Sequence, residues 1–171
     1  MASGNMSPRI NVFESTPAAV KQLLGLEQYV RASTIEAGLY ELIKLRASYL
    51  NGCAFCVDMH TREARAAGET EQRLYAVPVW KETPFFSPRE RAALAWTETV
   101  TEIGRAGVSD EQFGAAREHF SERELIDLTM GVIAINAWNR LAVSFGAVPG
   151  SMQPAATAKL REMMHATTTE H

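Results

Sequence analysis

A serine followed three residues later by Glu or Gln recurs along this chain: Ser33 with Glu36, Ser87 with Glu90, Ser109 with Gln112 and Ser121 with Glu124. Each pair is a capping box, in which the serine hydroxyl accepts a backbone N–H of the first turn and the Glu or Gln reaches back to the serine N–H. Pro88 and Pro17, the latter behind Thr16, stand at first-turn positions, where the missing N–H costs nothing. The segments behind these starts repeat apolar residues three and four apart, and none alternates with a period of two over five residues. The expected fold is an all-α, single-domain helical bundle.

The pattern places helices from Thr16-Pro17 to about Arg31, from Ser33 to Leu50, from Cys53 to Gly68, from Ser87 to about Ile103, from Ser109 to near Phe120 and from Ser121 to about Phe145. A short helix is expected over Glu71–Tyr75, a connecting segment from Pro78 to Pro84, and a last helix over Lys159–His165. Residues 1–15 carry no strong period, and they and the polar tail Ala166–His171 read as flexible ends. Met130–Ala137 is apolar on nearly every side, so the helix from Ser121 is expected at the buried centre, with Asn136, Trp138 and Asn139 in hydrogen-bonded packing.

A net charge of −3 with scattered Lys and Arg argues against a nucleic-acid partner. The longest apolar run, Leu128–Trp138, is too short to span a bilayer, and Met-Ala-Ser-Gly-Asn-Met lacks the regions of a signal peptide, so a cytoplasmic protein is expected. Cys53 and Cys56 are the chain's two cysteines, and in a reducing compartment that spacing points to redox or metal chemistry before a structural staple.

Asn51-Gly52 breaks one helix, and Cys53-Ala54-Phe55-Cys56 opens the next. Free N–H groups and the dipole at a helix start favour an anion, which predicts a reactive thiolate. On that helix, counted from Cys53, Cys56, Val57, His60, Ala64 and Ala67 all fall within about 60° of one direction. His60 thus lies one turn beyond Cys56, where an imidazole exchanges a thiol proton near neutral pH. The dipole favours Cys53 as the attacking thiol, whereas proximity to His60 favours Cys56; Cys56 is preferred, with Cys53 resolving. Across the same helix Phe55, Met59 and Ala66 form a second apolar stripe, expected to pack on another subunit.

Glu41, twelve residues on Cys53-x-x-Cys56, then three residues and His60, resembles the core of the alkylhydroperoxidase D-like branch of the carboxymuconolactone decarboxylase superfamily. The resemblance is close from about Ser33 to Gly68 and loose elsewhere. It implies an all-helical homo-oligomer, trimeric or hexameric, that reduces peroxides by cycling the cysteine pair between dithiol and disulfide, at the expense of a dithiol electron donor. It assigns catalytic roles to Cys56, Cys53, His60 and Glu41, the last two as proton relay. The typical peroxidase has a histidine before the second cysteine where this chain has Phe55, which removes one relay member. The decarboxylase branch generally lacks the cysteine pair, so lactone chemistry fits poorly.

No cofactor and no metal are expected. A zinc site would draw on Cys53, Cys56 and His60 with Glu41 or water, but structural zinc wants a fourth Cys or His. A redox sensor or helical scaffold without enzymatic activity is the other alternative. His119 reads as a charge favourable to a helix C-terminus, and His165 and His171 as inert.

Overall fold

The computed structural model describes residues 6–152. Among these the chain forms eight α-helices, one 3-10 segment and no strand: α1 Val12–Ser15, α2 Pro17–Arg31, α3 Ala37–Leu50, α4 Ala54–Ala66, α5 Glu71–Ala76, the 3-10 segment Val77–Glu82, α6 Pro88–Thr101, α7 Asp110–Arg117 and α8 Glu122–Phe145. The expected all-α bundle is observed. The helix expected over Lys159–His165 lies outside the described residues, as do His165 and His171. No described helix is long and apolar enough to cross a membrane.

Ser87, Ser109 and Ser121 close full capping boxes with Glu90, Gln112 and Glu124. Ser33 does not. It stands two residues past the end of α2, so its hydroxyl donates to the Val30 carbonyl at 2.7 Å, and Glu36 becomes the N-cap of α3 without a side-chain bond. The Glu36 carboxylate instead accepts from Arg89 Nε at 3.0 Å. The segment before α2 also holds more order than its sequence shows. Asn11 caps α1, and the Arg9 N–H donates to the Phe145 carbonyl at 2.7 Å, which ties this segment to the end of α8.

The centre of the bundle is α3 rather than α8. One apolar cluster takes Leu39, Tyr40 and Ile43 from α3 together with Val30, Trp96, Leu128 and Val132. A second takes Leu42 and Leu45 from the same helix with Leu74, Val77, Trp80 and Leu94. A helix covered on both sides has no solvated face left, and its polar side chains are buried with it. By contrast α8 buries Val132, Ala134 and Ile135 but turns Ile126, 59% exposed, and Ile133, 45% exposed, to the surface. Gly131 allows α8 its close approach to α3, because a Cβ there would stand 3.1 Å from Ile43 Cδ1 and 3.2 Å from Tyr40 Cε2.

Asn51 caps the C-terminus of α3, and Gly52 reverses the chain at φ 63°, a left-handed conformation that a glycine adopts without strain. The Asn51 Nδ2 group donates to the Oδ1 atoms of Asn136 and Asn139, each at 2.9 Å. Asn139 Nδ2 donates in turn to Ser48 Oγ at 3.1 Å. These amides are the hydrogen-bonded packing expected of them, and they pin the turn before the cysteines to α8.

Candidate active site

Cys53 is the N-cap of α4, and its Sγ accepts the Cys56 backbone N–H at 3.3 Å. The two cysteines are joined as a disulfide within one chain, with Cα atoms 5.3 Å apart, and both are buried. Cys56 lies on the wall of a cavity of about 410 Å³; Cys53 does not reach it. The cavity is walled by Phe13, Phe55, Met59, Trp138 and Phe145, among others. The rings of Phe13 and Trp138 stack on one another in its lining with centroids 6.1 Å apart. Trp138 is thus a cavity wall, unlike the two asparagines beside it.

Phe55 and Met59, the residues expected to meet another subunit, line this cavity within the single chain, and Ala66 is exposed. The covering elements are the chain's own residues 8–13 and the end of α8. Periodicity finds a second apolar stripe on α4 but does not say which element covers it.

The polar end of the cavity holds Glu27, Arg31, His60 and Glu63. His60 is buried at 4% exposure, with Nδ1 3.1 Å from Glu63 Oε2. Its Nε2 is buried and has no hydrogen-bond partner. Glu41 sits behind these residues on α3, outside the cavity lining. Its Oε1 accepts from Lys44 Nζ at 2.8 Å and stands 4.0 Å from Arg31 Nη1, while Oε2 is buried without a partner. Glu41 is therefore buried among charges rather than solvated.

Lys44 is fully buried. Its ammonium group lies between two carboxylates, 2.8 Å from Glu41 and 3.6 Å from Glu63, and 4.7 Å from the Tyr40 ring centroid. Burial works to raise the Glu63 pKa, but the hydrogen bond to His60 and the charges of Lys44 and His60 outweigh it and hold the carboxyl down to about 2. Tyr40 is pushed up by burial and by the Glu27 charge.

Ligand atoms of Glu41, His60 and Glu63 lie within 4.8 Å of one another, a set able to hold a metal ion. The cation standing between its two carboxylates is the Lys44 ammonium. The set differs from the zinc arrangement weighed on the sequence, since the disulfide occupies both thiols.

The structure thus brings His60 and Cys56 to one cavity, with Cys53 bonded behind Cys56 and Glu41 one layer deeper. Sequence reasoning gave Glu63 and Lys44 no part in the site. Both were signalled by spacing, since Glu63 is three residues after His60 and Lys44 three after Glu41, positions that meet on a helix.

Residues 17–99 match the carboxymuconolactone decarboxylase family. The uncharacterized protein YdfG of Bacillus subtilis (strain 168) is 44% identical over 141 residues, which are 82% of this chain and 96% of that one. Among solved structures, ATU0492 of Agrobacterium tumefaciens, a protein of unknown function put forward as an antioxidant defence protein AhpD, aligns with a TM-score of 0.81 at 45% identity, over 84% of this chain and 98% of that one. An alkylhydroperoxidase AhpD core from Ralstonia eutropha JMP134, an uncharacterized peroxidase-related protein, aligns with a TM-score of 0.73 over 84% of this chain and 77% of that one, at 22% identity. The latter likeness is one of fold.

Proposed function

From the premise that this chain belongs to the carboxymuconolactone decarboxylase family and has an AhpD-like fold with a Cys-x-x-Cys pair, we propose that it is a thiol-dependent peroxidase. The observation that carries this reading is the placement of Cys56, one half of a bridged pair, on an apolar cavity that also holds His60 one helical turn away. A decarboxylase needs no such pair; a dithiol cycle requires it.

In the dithiol state, His60 takes the Cys56 proton, and the thiolate attacks the terminal oxygen of a hydroperoxide. The O–O bond breaks, leaving Cys56 as a sulfenic acid and an alkoxide that takes the proton from His60. Cys53 then attacks the Cys56 sulfur. The S–O bond breaks, water leaves with the Cys53 proton, and the disulfide forms. An external dithiol reduces the bridge by exchange and is itself oxidised. Glu41, with one buried oxygen unpartnered, is the deeper member of the proton relay. Phe55 makes one wall apolar where a histidine would have been polar, which suits an organic hydroperoxide.

Purified protein supplied with a dithiol such as dithiothreitol is expected to consume cumene hydroperoxide, about tenfold faster in kcat/KM than hydrogen peroxide, because only the former buries apolar surface in the cavity. Peptide mapping after mild oxidation should recover the Cys53–Cys56 bridge within one chain. A bridge that cycles without any peroxide consumption would return the chain to the redox-sensor reading. Glu41→Gln is expected to slow turnover about 10²-fold with the fold intact; wild-type rates would remove Glu41 from the relay.

A homo-oligomer of three or six chains remains part of this proposal, on the family resemblance. Sedimentation of the purified protein tests it, and a monomer would end it. The reading also places the protein in the cytoplasm, where dithiol donors keep thiols reduced.

A further inference from the structure

His60 shares its cavity with Glu27 and Arg31 from α2 and Glu63 from its own helix, and Glu41 and Lys44 from α3 stand behind it, Glu41 with ligand atoms within 4.8 Å of those of His60 and Glu63. Among the described residues the carboxylate hydrogen-bonded to the ring itself is Glu63, with Oε2 at 3.1 Å from Nδ1. Glu41, the carboxylate to which the family spacing points, gives Oε1 to Lys44. We infer that Glu63 is the positioning residue of this site: it accepts the Nδ1 proton of His60 and so leaves the ring's basic lone pair on Nε2. The inference rests on the reading that His60 serves Cys56 as base.

An ionised carboxylate accepts hydrogen bonds and donates none, so a ring nitrogen bonded to it must carry the proton. Glu63 is held ionised by the Lys44 ammonium at 3.6 Å and by the ring itself, against the opposing effect of burial. The neutral imidazole is thereby fixed with hydrogen on Nδ1 and a lone pair on Nε2. That Nε2 is the buried ring atom left without a partner. It is an acceptor awaiting a proton, and the thiol of Cys56 stands one turn before it on the same helix and the same cavity wall. When the ring takes that proton it becomes a cation facing the Glu63 anion, so the same contact that sets the tautomer also stabilises the thiolate–imidazolium pair. Lys44 serves both carboxylates, and keeps Glu63 an acceptor.

Two measurements on the reduced protein decide this. The 15N shifts of the His60 ring above neutral pH are expected to show hydrogen on Nδ1 and a bare Nε2 in wild-type protein. In a Cys53→Ser background, which leaves one thiol, Glu63→Gln is expected to slow alkylation of Cys56 by iodoacetamide about tenfold at pH 7 and to move its pH profile upward, with helicity unchanged. Hydrogen found on Nε2 in the wild type would overturn the assignment, whatever becomes of the variant. So would an unchanged tautomer and alkylation profile in Glu63→Gln. Neither measurement uses peroxide, so the expected tautomer in a protein that consumes none would sink the peroxidase reading and leave Glu63 in its role.

Discussion

Cys56→Ser is expected to abolish dithiol-driven hydroperoxide consumption, a loss of about 10³-fold or more, the scale on which removing a nucleophile acts. Cys53→Ser is expected to differ in kind. It should complete one attack per chain and stop at a Cys56 sulfenic acid that dimedone traps. The asymmetry follows from position: Cys56 lies on the cavity wall beside His60, whereas Cys53 caps the helix behind it, outside the cavity and hydrogen-bonded to the Cys56 N–H. A serine hydroxyl at 56 is too weak an acid to attack peroxide, but at 53 it still caps α4. If Cys53→Ser proves silent to dimedone while Cys56→Ser gives the trapped adduct, the order of attack is reversed.

Lys44→Met is expected to cost about 3–5 kcal/mol of stability, because removing one member of a buried charge cluster leaves the others uncompensated. Here two carboxylates, Glu41 and Glu63, lose the ammonium that stands 2.8 and 3.6 Å from them. For a chain of 171 residues the loss corresponds to roughly 10 °C in Tm, measurable by calorimetry or circular dichroism. Methionine keeps the volume, so a cavity does not explain the loss. A Tm within a degree or two of wild type would mean that the carboxylates are relieved some other way, and the cluster would carry less weight than its geometry gives it.

The same cluster sets an acid limit. The Glu63 pKa lies at about 2 in the folded chain, below the 4.5 of a free glutamate. A depressed carboxyl contributes stability that is fully present above pH 4.5 and drains away as pH falls towards 2, on the order of 3 kcal/mol for this one group. The Lys44→Met protein should show a shallower loss over that window, since part of what holds Glu63 ionised has gone.

Much of this was legible in the sequence. Helix starts at Ser87, Ser109 and Ser121, the break at Gly52, the cysteine pair at the start of α4 and His60 one turn on were all readable, because each depends on residues three or four apart. Within that reach the backbone's own hydrogen bonds and the helical repeat fix what meets what. Ser33 and Glu36 show where the reach ends: the same local pattern forms no box, the Ser33 hydroxyl turning back to the Val30 carbonyl and the Glu36 carboxylate pairing with Arg89, 53 residues away. What only the tertiary structure decided is which faces are covered. Lys44 looks like a solvated partner for Glu41 until packing on both sides of α3 buries it and turns Glu63 of α4 towards the same ammonium. Phe55 and Met59 read as an apolar stripe, and the tertiary structure shows that residues 8–13 and the end of α8 meet them and make a cavity. Charge burial and cavity shape depend on elements distant along the chain arriving at one place, and no local period encodes that arrival.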